Sequence, residues 1–235
     1  MRRGCEEFQD SEARRKREIT SEVGQLIGLV YNVMKIIDVI GEEETQEGIS
    51  ARWRVLPDSA LLKGRNPFFV PDFPGEITIT AAIAVKINKL GKGIPERFAA
   101  RYYAETAPAV IFRAEKYGAL LRASGYPDSA AYSFDKAVIV GEFHRHNLSG
   151  DIDMDIAIGN DKGEETERRR FRIVKPCEAI NRGISQLSRD NTLKTGDLLL
   201  IDGIGTSATA VIDSHLTLLG FPRNEQEENL NINIK

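Results

Sequence analysis

Across 235 residues the chain has two cysteines, three histidines, one tryptophan and only a slight charge excess, −3. Cys5 and Cys177 cannot build a disulfide framework, so the fold must be held by its core, and a reducing cytoplasmic setting is expected. A charge balance this even gives no general attraction to nucleic acid or to an anionic membrane. Long apolar runs are also missing. The best one, Val23 to Met34, is interrupted by Gln25 and Asn32 and falls well short of the ~20 residues of a membrane span. Glu6, Glu7, Asp10 and Glu12 ahead of it do not suit a signal peptide. What remains is ordinary for a globular domain, with 41% hydrophobic and 29% charged residues, enough to bury a sizeable core.

Residues 1–33 read as an N-terminal extension, partly disordered or helical. Residues 1–18 are highly charged, and Val23, Leu26, Ile27 and Val30 then have helical spacing. Met34-Lys35-Ile36-Ile37 reads as a strand that opens the domain proper, 34–235, and Glu42 to Gly48 as a polar loop. Ile77 to Ile87, rich in β-branched and small residues, predicts a strand. Pro95 fits the start of a helix running to about Tyr103, Ala107 to Phe112 reads as a short strand, and a helix follows from Glu115 to Gly125. Alternation at Ile152, Met154, Ile156 and Ile158 leads into the turn Gly159-Asn160-Asp161-Lys162-Gly163, with a returning strand ending near Ile173. Pro176 opens a helix with Ile180, Ile184 and Leu187 on one face. Lys194 to Asp197 turns into the strand Leu198 to Ile201, and Leu230, Ile232 and Ile234 close the chain as a strand. The balance is mostly β, of the α+β class, with a few short helices.

Some residue types invite a chemical reading that a plainer one displaces. His144-Arg145-His146 has the spacing of strand ligands but reads better as a polar loop. His215 reads as a packing or capping residue beside the last loop. Arg168, Arg169, Arg170 and Arg172 sit among Glu164, Glu165 and Glu167, which favours a solvated hairpin with internal salt bridges over a phosphate site. Gly203-x-Gly205-Thr206 lacks the lysine and helix of a phosphate-binding loop. Cys177 reads as structural.

The segment Pro57-Asp58-Ser59-Ala60-Leu61-Leu62-Lys63, then Pro67-Phe68-Phe69-Val70-Pro71-Asp72-Phe73, then Leu90-Gly91-Lys92-Gly93-Ile94 and Glu96-Arg97-Phe98-Ala99-x-Arg101-Tyr102-Tyr103, carries a resemblance. It resembles the fumarylacetoacetate hydrolase family in its compact bacterial form. Phe134-Asp135 with Gly141-x-Phe143, Thr195-Gly196-Asp197-Leu198-Leu199 and Ile212-Asp213-Ser214-His215-Leu216 extend the likeness over residues 57–235. The resemblance implies a mixed β-sandwich roll, commonly a homodimer. It also implies a Mg²⁺, Mn²⁺ or Ca²⁺ site and hydrolysis, decarboxylation or isomerisation of acylpyruvate-like oxo acids.

At the points where the family places its metal-binding acids, however, this chain has Thr80, Ala82 and Ile111. A Glu-x-Glu pair on one strand would direct two carboxylates to one cation; Thr80 and Ala82 keep the strand and lose both charges. Arg113 and Lys116 add positive charge beside Ile111. Tyr132 stands for the family's lysine, Ile201-Asp202-Gly203-Ile204 for its Thr-Gly-Thr-Pro loop, and Asp38 to Val55 holds no histidine to act as general base. No catalytic residue and no cofactor are therefore expected. Arg113, Glu115, Lys116, Tyr132, Asp135 and Asp202 are the candidates for a residual pocket.

Three readings follow. The first is a non-catalytic relative that serves as a binding or assembly module. The second is an oxo-acid hydrolase, decarboxylase or isomerase with a rewired site, in which Asp135, Asp202 or Glu115 approach one another. The third is a small-anion binder using Arg113 and Lys116.

Overall fold

The computed structural model describes residues 34–45, 48–62, 66–145, 148–160, 162–223 and 226–235. The expectations for residues 1–33 and for His146 lie outside the described residues.

Strand β4, Thr78–Ile87, organises the molecule. Its odd positions Ile79, Ala81, Ile83, Val85 and Ile87 belong to one buried cluster, and its even positions Ala82 and Ala84 belong to another. A strand buried on both faces reads as a near-continuous apolar run, which is why Ile77–Ile87 is so poor in polar residues. β4 pairs antiparallel with β5, Tyr103–Arg113, and with β9, Leu198–Asp202. β9 in turn pairs in parallel with β1, Ile36–Thr45, which pairs with β2, Gly48–Leu56. With β6, Val138–Val140, and β3, Leu61–Leu62, the order is β2-β1-β9-β4-β5-β6-β3, and β11, Ala208–Thr209, adds to β4.

A second sheet runs β10-β8-β7-β12-β13, from β10, Ile204–Gly205, through β8, Glu165–Ile173, β7, Ile152–Gly159, and β12, Ser214–Arg223, to β13, Gln226–Ile234. Its Met154, Ile156, Ile158, Phe171, Leu216 and Leu218 pack on the odd face of β4. Helix α3, Pro176–Asp190, covers the same side with Ile180, Ile184 and Leu187, all fully buried as their spacing predicts. Two shorter helices are α1, Glu96–Ala99, and α2, Glu115–Ala123. The mixed β-sandwich roll expected from the sequence is the fold observed. Among the described residues no helix is long and apolar enough to cross a membrane.

Two local readings need correction. Glu42 to Thr45 and Gly48 are not a loop: they extend β1 and open β2, with Glu43 opposite Ser50 and Thr45 opposite Gly48. Backbone pairing holds this hairpin, and a polar composition does not reveal a hydrogen-bonded partner strand. The helix from Pro95 stops at Ala99, because Tyr103 already belongs to β5 and Asn88 N–H bonds to Tyr102 O at 2.8 Å. The Arg168–Arg172 stretch is the solvated hairpin strand expected, with Arg168 on Glu165, Arg169 on Glu167, Arg170 on Asp155 and Arg172 on Asp151.

Candidate functional site

The even face of β4 holds the positions of interest. Side chains two residues apart share a face, so Thr80 and Ala82 point the same way, and Thr80 lies opposite Ile111 while Ala82 lies opposite Asp202. Parity continues onto the neighbouring strands. Ile111 leads to Arg113, Leu200 to Asp202 and Ile36 to Asp38, and the leading residue of each pair lies in the same even-face cluster as Ala82. Eight residues from four strands thus share one face.

Arg113 dominates it. β5 lies on one side of β4, while β9 and β1 lie on the other. The Arg113 side chain therefore crosses β4 to reach Asp38 and Asp202. Its Nη2 donates to Asp38 Oδ1 and Oδ2, both at 2.9 Å, and to Asp202 Oδ1 at 3.0 Å and Oδ2 at 2.7 Å. The side chains of Arg113, Asp38 and Asp202 are 7%, 1% and 16% exposed, so the three ionisable groups sit essentially inside the protein. Thr80 and Ala82, on the strand that the arginine crosses, are both small.

The electrostatics follow from two carboxylates facing one guanidinium. Burial opposes the charge on Arg113, but Asp202 and Asp38 more than offset it and raise its pKa. Burial pushes the Asp202 carboxyl up to about 8, and the nearby Asp38 adds to the rise against the lowering pull of Arg113. At neutral pH the cluster thus tends to hold one proton between its carboxylates. The following loop fixes Asp202. Gly203 N–H bonds to Ala81 O at 2.8 Å, and a side chain there would come within 2.9 Å of Phe171 Cβ.

A second group adjoins the first. Arg54, opposite Asp38 on β2, has a nitrogen 4.0 Å from the Asp38 carboxylate, and its guanidinium carbon lies 3.5 Å from the centre of the Tyr132 ring. The Tyr132 hydroxyl donates to Glu115 Oε2 at 2.8 Å and accepts from Arg122 Nη1 at 3.2 Å. Gly118 makes room for it, since a side chain there would lie 2.8 Å from that hydroxyl. Tyr132→Phe is expected to lower stability by about 1 kcal/mol, because Glu115 and Arg122 are exposed and regain water while the ring keeps its stack on Arg54. A urea unfolding curve measures this, and a loss above ~3 kcal/mol would contradict it.

The remaining candidates lie apart. Asp135 is exposed in the turn before β6. Lys116 is exposed on α2, with its stem over Gly75. Asp202 is joined by Asp38 and Arg113 rather than by Asp135 or Glu115. Asp38 is the residue the sequence reading missed. Its signal was its parity with Ile36 in a strand whose alternation placed a charge on a buried face. His144 pairs through its backbone with Thr106, and His215 Nδ1 faces Asn233 Oδ1 across β12 and β13 at 2.9 Å.

The residues present do not fit a divalent metal at this face. Hard cations need several oxygen ligands, whereas Ala82 and Ile111 offer none and the two nearby carboxylates already face an arginine. Among the described residues no group of three His, Cys, Asp or Glu side chains is placed to hold an ion.

Neither a family model nor a curated protein matches this sequence. Solved structures do match the fold. A fumarylpyruvate hydrolase from Pseudomonas aeruginosa, solved with Mn²⁺ and pyruvate, superposes with a TM-score of 0.66 at 17% identity, over 86% of this chain and 89% of that one. For 5-carboxymethyl-2-hydroxymuconate delta-isomerase from Mycobacterium smegmatis the TM-score is 0.67 at 17% identity, covering 86% and 78%. For a fumarylacetoacetate hydrolase family protein from yeast it is 0.67 at 13% identity, covering 87% and 93%. The chain has the fold of the fumarylacetoacetate hydrolase family.

Proposed function

We propose that this protein keeps the fold as a binding or assembly module, expected as a homodimer, and does not carry out metal-dependent chemistry on acylpyruvates. One observation supports this above the rest. The face bearing Thr80, Ala82 and Ile111 is spanned by Arg113, whose positive charge satisfies Asp38 and Asp202 where a metal-dependent site would present free oxygens. Function resides in the site rather than the fold, so the likeness to a Mn²⁺-bound hydrolase does not bring its reaction along.

A second reading has one observation in its favour. Asp202, pushed up to about 8 beside an arginine, is a carboxyl able to give or take a proton near neutral pH. On that reading the chain is an oxo-acid hydrolase, decarboxylase or isomerase with a rewired site. The anionic-ligand reading has less behind it, because Arg113 faces two carboxylates and Lys116 lies on Gly75.

The deciding assay follows acylpyruvate cleavage and oxo-acid decarboxylation by the metal-stripped protein, with and without Mn²⁺. We expect no turnover in either condition. Turnover that is insensitive to Mn²⁺ and lost in Asp202→Asn would replace the first reading with the second. Turnover that requires Mn²⁺ would overturn both and place the metal elsewhere.

A further inference from the structure

All four carboxylate oxygens of Asp38 and Asp202 converge on a single atom, Arg113 Nη2, within 2.7–3.0 Å. That is an unusual way to bind a guanidinium. Its N–H bonds lie in one plane and diverge, so a carboxylate normally meets two of its nitrogens in a fork. Nη2 has only two hydrogens, so four oxygens around it cannot each receive a separate hydrogen bond. Arg113 Nε, buried in the same group, has no acceptor among the described residues. The oxygens are therefore arranged around a point of positive charge rather than along the edge of a planar donor.

We propose that Arg113 is a tethered cation. Its guanidinium stands in a cation site formed by Asp38 and Asp202, and its removal opens that site to a free cation. This goes beyond the proposed function, since it holds whether the interior is inert or reactive. β5 delivers the charge from one side of β4, and β1 and β9 deliver the oxygens from the other. Four carboxylate oxygens form much of the shell of a hard divalent ion, with water or the Thr80 hydroxyl next on the same face. Metal–oxygen bonds of about 2.0–2.6 Å are shorter than the present contacts, so a bound ion draws the carboxylates inward.

The test compares thermal midpoints of the full-length wild type, Arg113→Ala and the triple variant Arg113→Ala/Asp38→Asn/Asp202→Asn. Each protein is stripped with chelator and then titrated with MnCl₂, CaCl₂ or guanidinium chloride to about 10 mM, against choline chloride at matched ionic strength. Arg113→Ala is expected to gain about 5 °C or more, saturably, with at least one of these cations. The wild type and the triple variant are expected to stay unmoved. A folded Arg113→Ala that ignores all three cations overturns the proposal, as does a wild type that responds equally.

Should Arg113→Ala not accumulate in folded form, Arg113→Lys decides. An ammonium is itself a point charge, so the lysine variant folds without added cation. A lysine variant no better folded than the alanine one overturns the proposal. None of these outcomes alters the acylpyruvate assay, so the two ideas fail separately.

Discussion

Replacing Arg113 with methionine lowers the free energy of unfolding by about 3–5 kcal/mol at pH 8, and by less at pH 5. Methionine keeps much of the stem that crosses β4 and removes the charge. Asp38 and Asp202 are then left facing each other in the interior with no cation between them. Breaking a buried ion pair on one side is costly because a poorly compensated charge stays behind, and Asp38 would keep only Arg54, 4.0 Å away. At pH 5 Asp202 already holds its proton, so the loss is smaller. Neutralising all three groups, as Arg113→Met/Asp38→Asn/Asp202→Asn, returns most of the stability, since a buried ionic cluster is rarely better than a satisfied neutral one. Urea unfolding followed by the fluorescence of Trp53, the single tryptophan, which packs against the core, reports all of these values. A loss below ~1 kcal/mol that is equal at the two pH values would show that the arginine is not the counter-charge of this interior.

The wild type becomes less stable as pH rises from 5 to 8, opposite to the usual behaviour of a paired carboxylate. The sign comes from Asp202. Its pKa is about 8 in the folded protein, against ~3.9 in an unfolded chain. Between those values the native state holds a proton that the unfolded state has released, and stability falls with pH wherever the native state binds more protons. The favourable term is complete below the unfolded pKa and lost as pH passes through the folded one. Three pH units at ~1.36 kcal/mol each set a ceiling of ~4 kcal/mol. Because the Asp202 side chain is 16% exposed and partly screened by solvent, about 2 kcal/mol is expected.

The carboxylates of the outer hairpin titrate elsewhere. A backbone hydrogen bond from Lys175 and contact with Arg172 lower Asp151, while arginine partners lower Asp155 and Glu165, so their contributions disappear only on acidification below about pH 4. Asp202→Asn, which keeps the shape and loses the proton equilibrium, should flatten the profile between pH 5 and 8. Parallel profiles for variant and wild type would remove Asp202 as the cause.

Local pattern made much of this protein legible. Alternation along Ile152–Ile158 and the helical spacing of Ile180, Ile184 and Leu187 required β7 and α3 to bury those side chains, and they do. The β-branched and small residues from Ile77 to Ile87 marked a strand, and the structure added that both of its faces are buried. That Thr80, Ala82 and Ile111 carry no carboxylate is plain from the sequence, whereas their correspondence to metal-binding positions came from the family resemblance and not from periodicity. The extent of β1 and β2 was not visible, because a polar strand is specified by its partner's backbone and not by its own side chains.

What the sequence by itself determined is the set of apolar core strands and the buried face of the covering helix. What only the tertiary structure decided is what occupies the even face of β4 beside Thr80, Ala82 and Ile111. Arg113 meets Asp38 across 75 residues of chain and Asp202 across 89, through the pairing order of β1, β9, β4 and β5. Periodicity assigns each of these residues to a face, but a face does not say which strands lie side by side. Only that order shows that one arginine is long enough to cross a strand and satisfy two buried carboxylates.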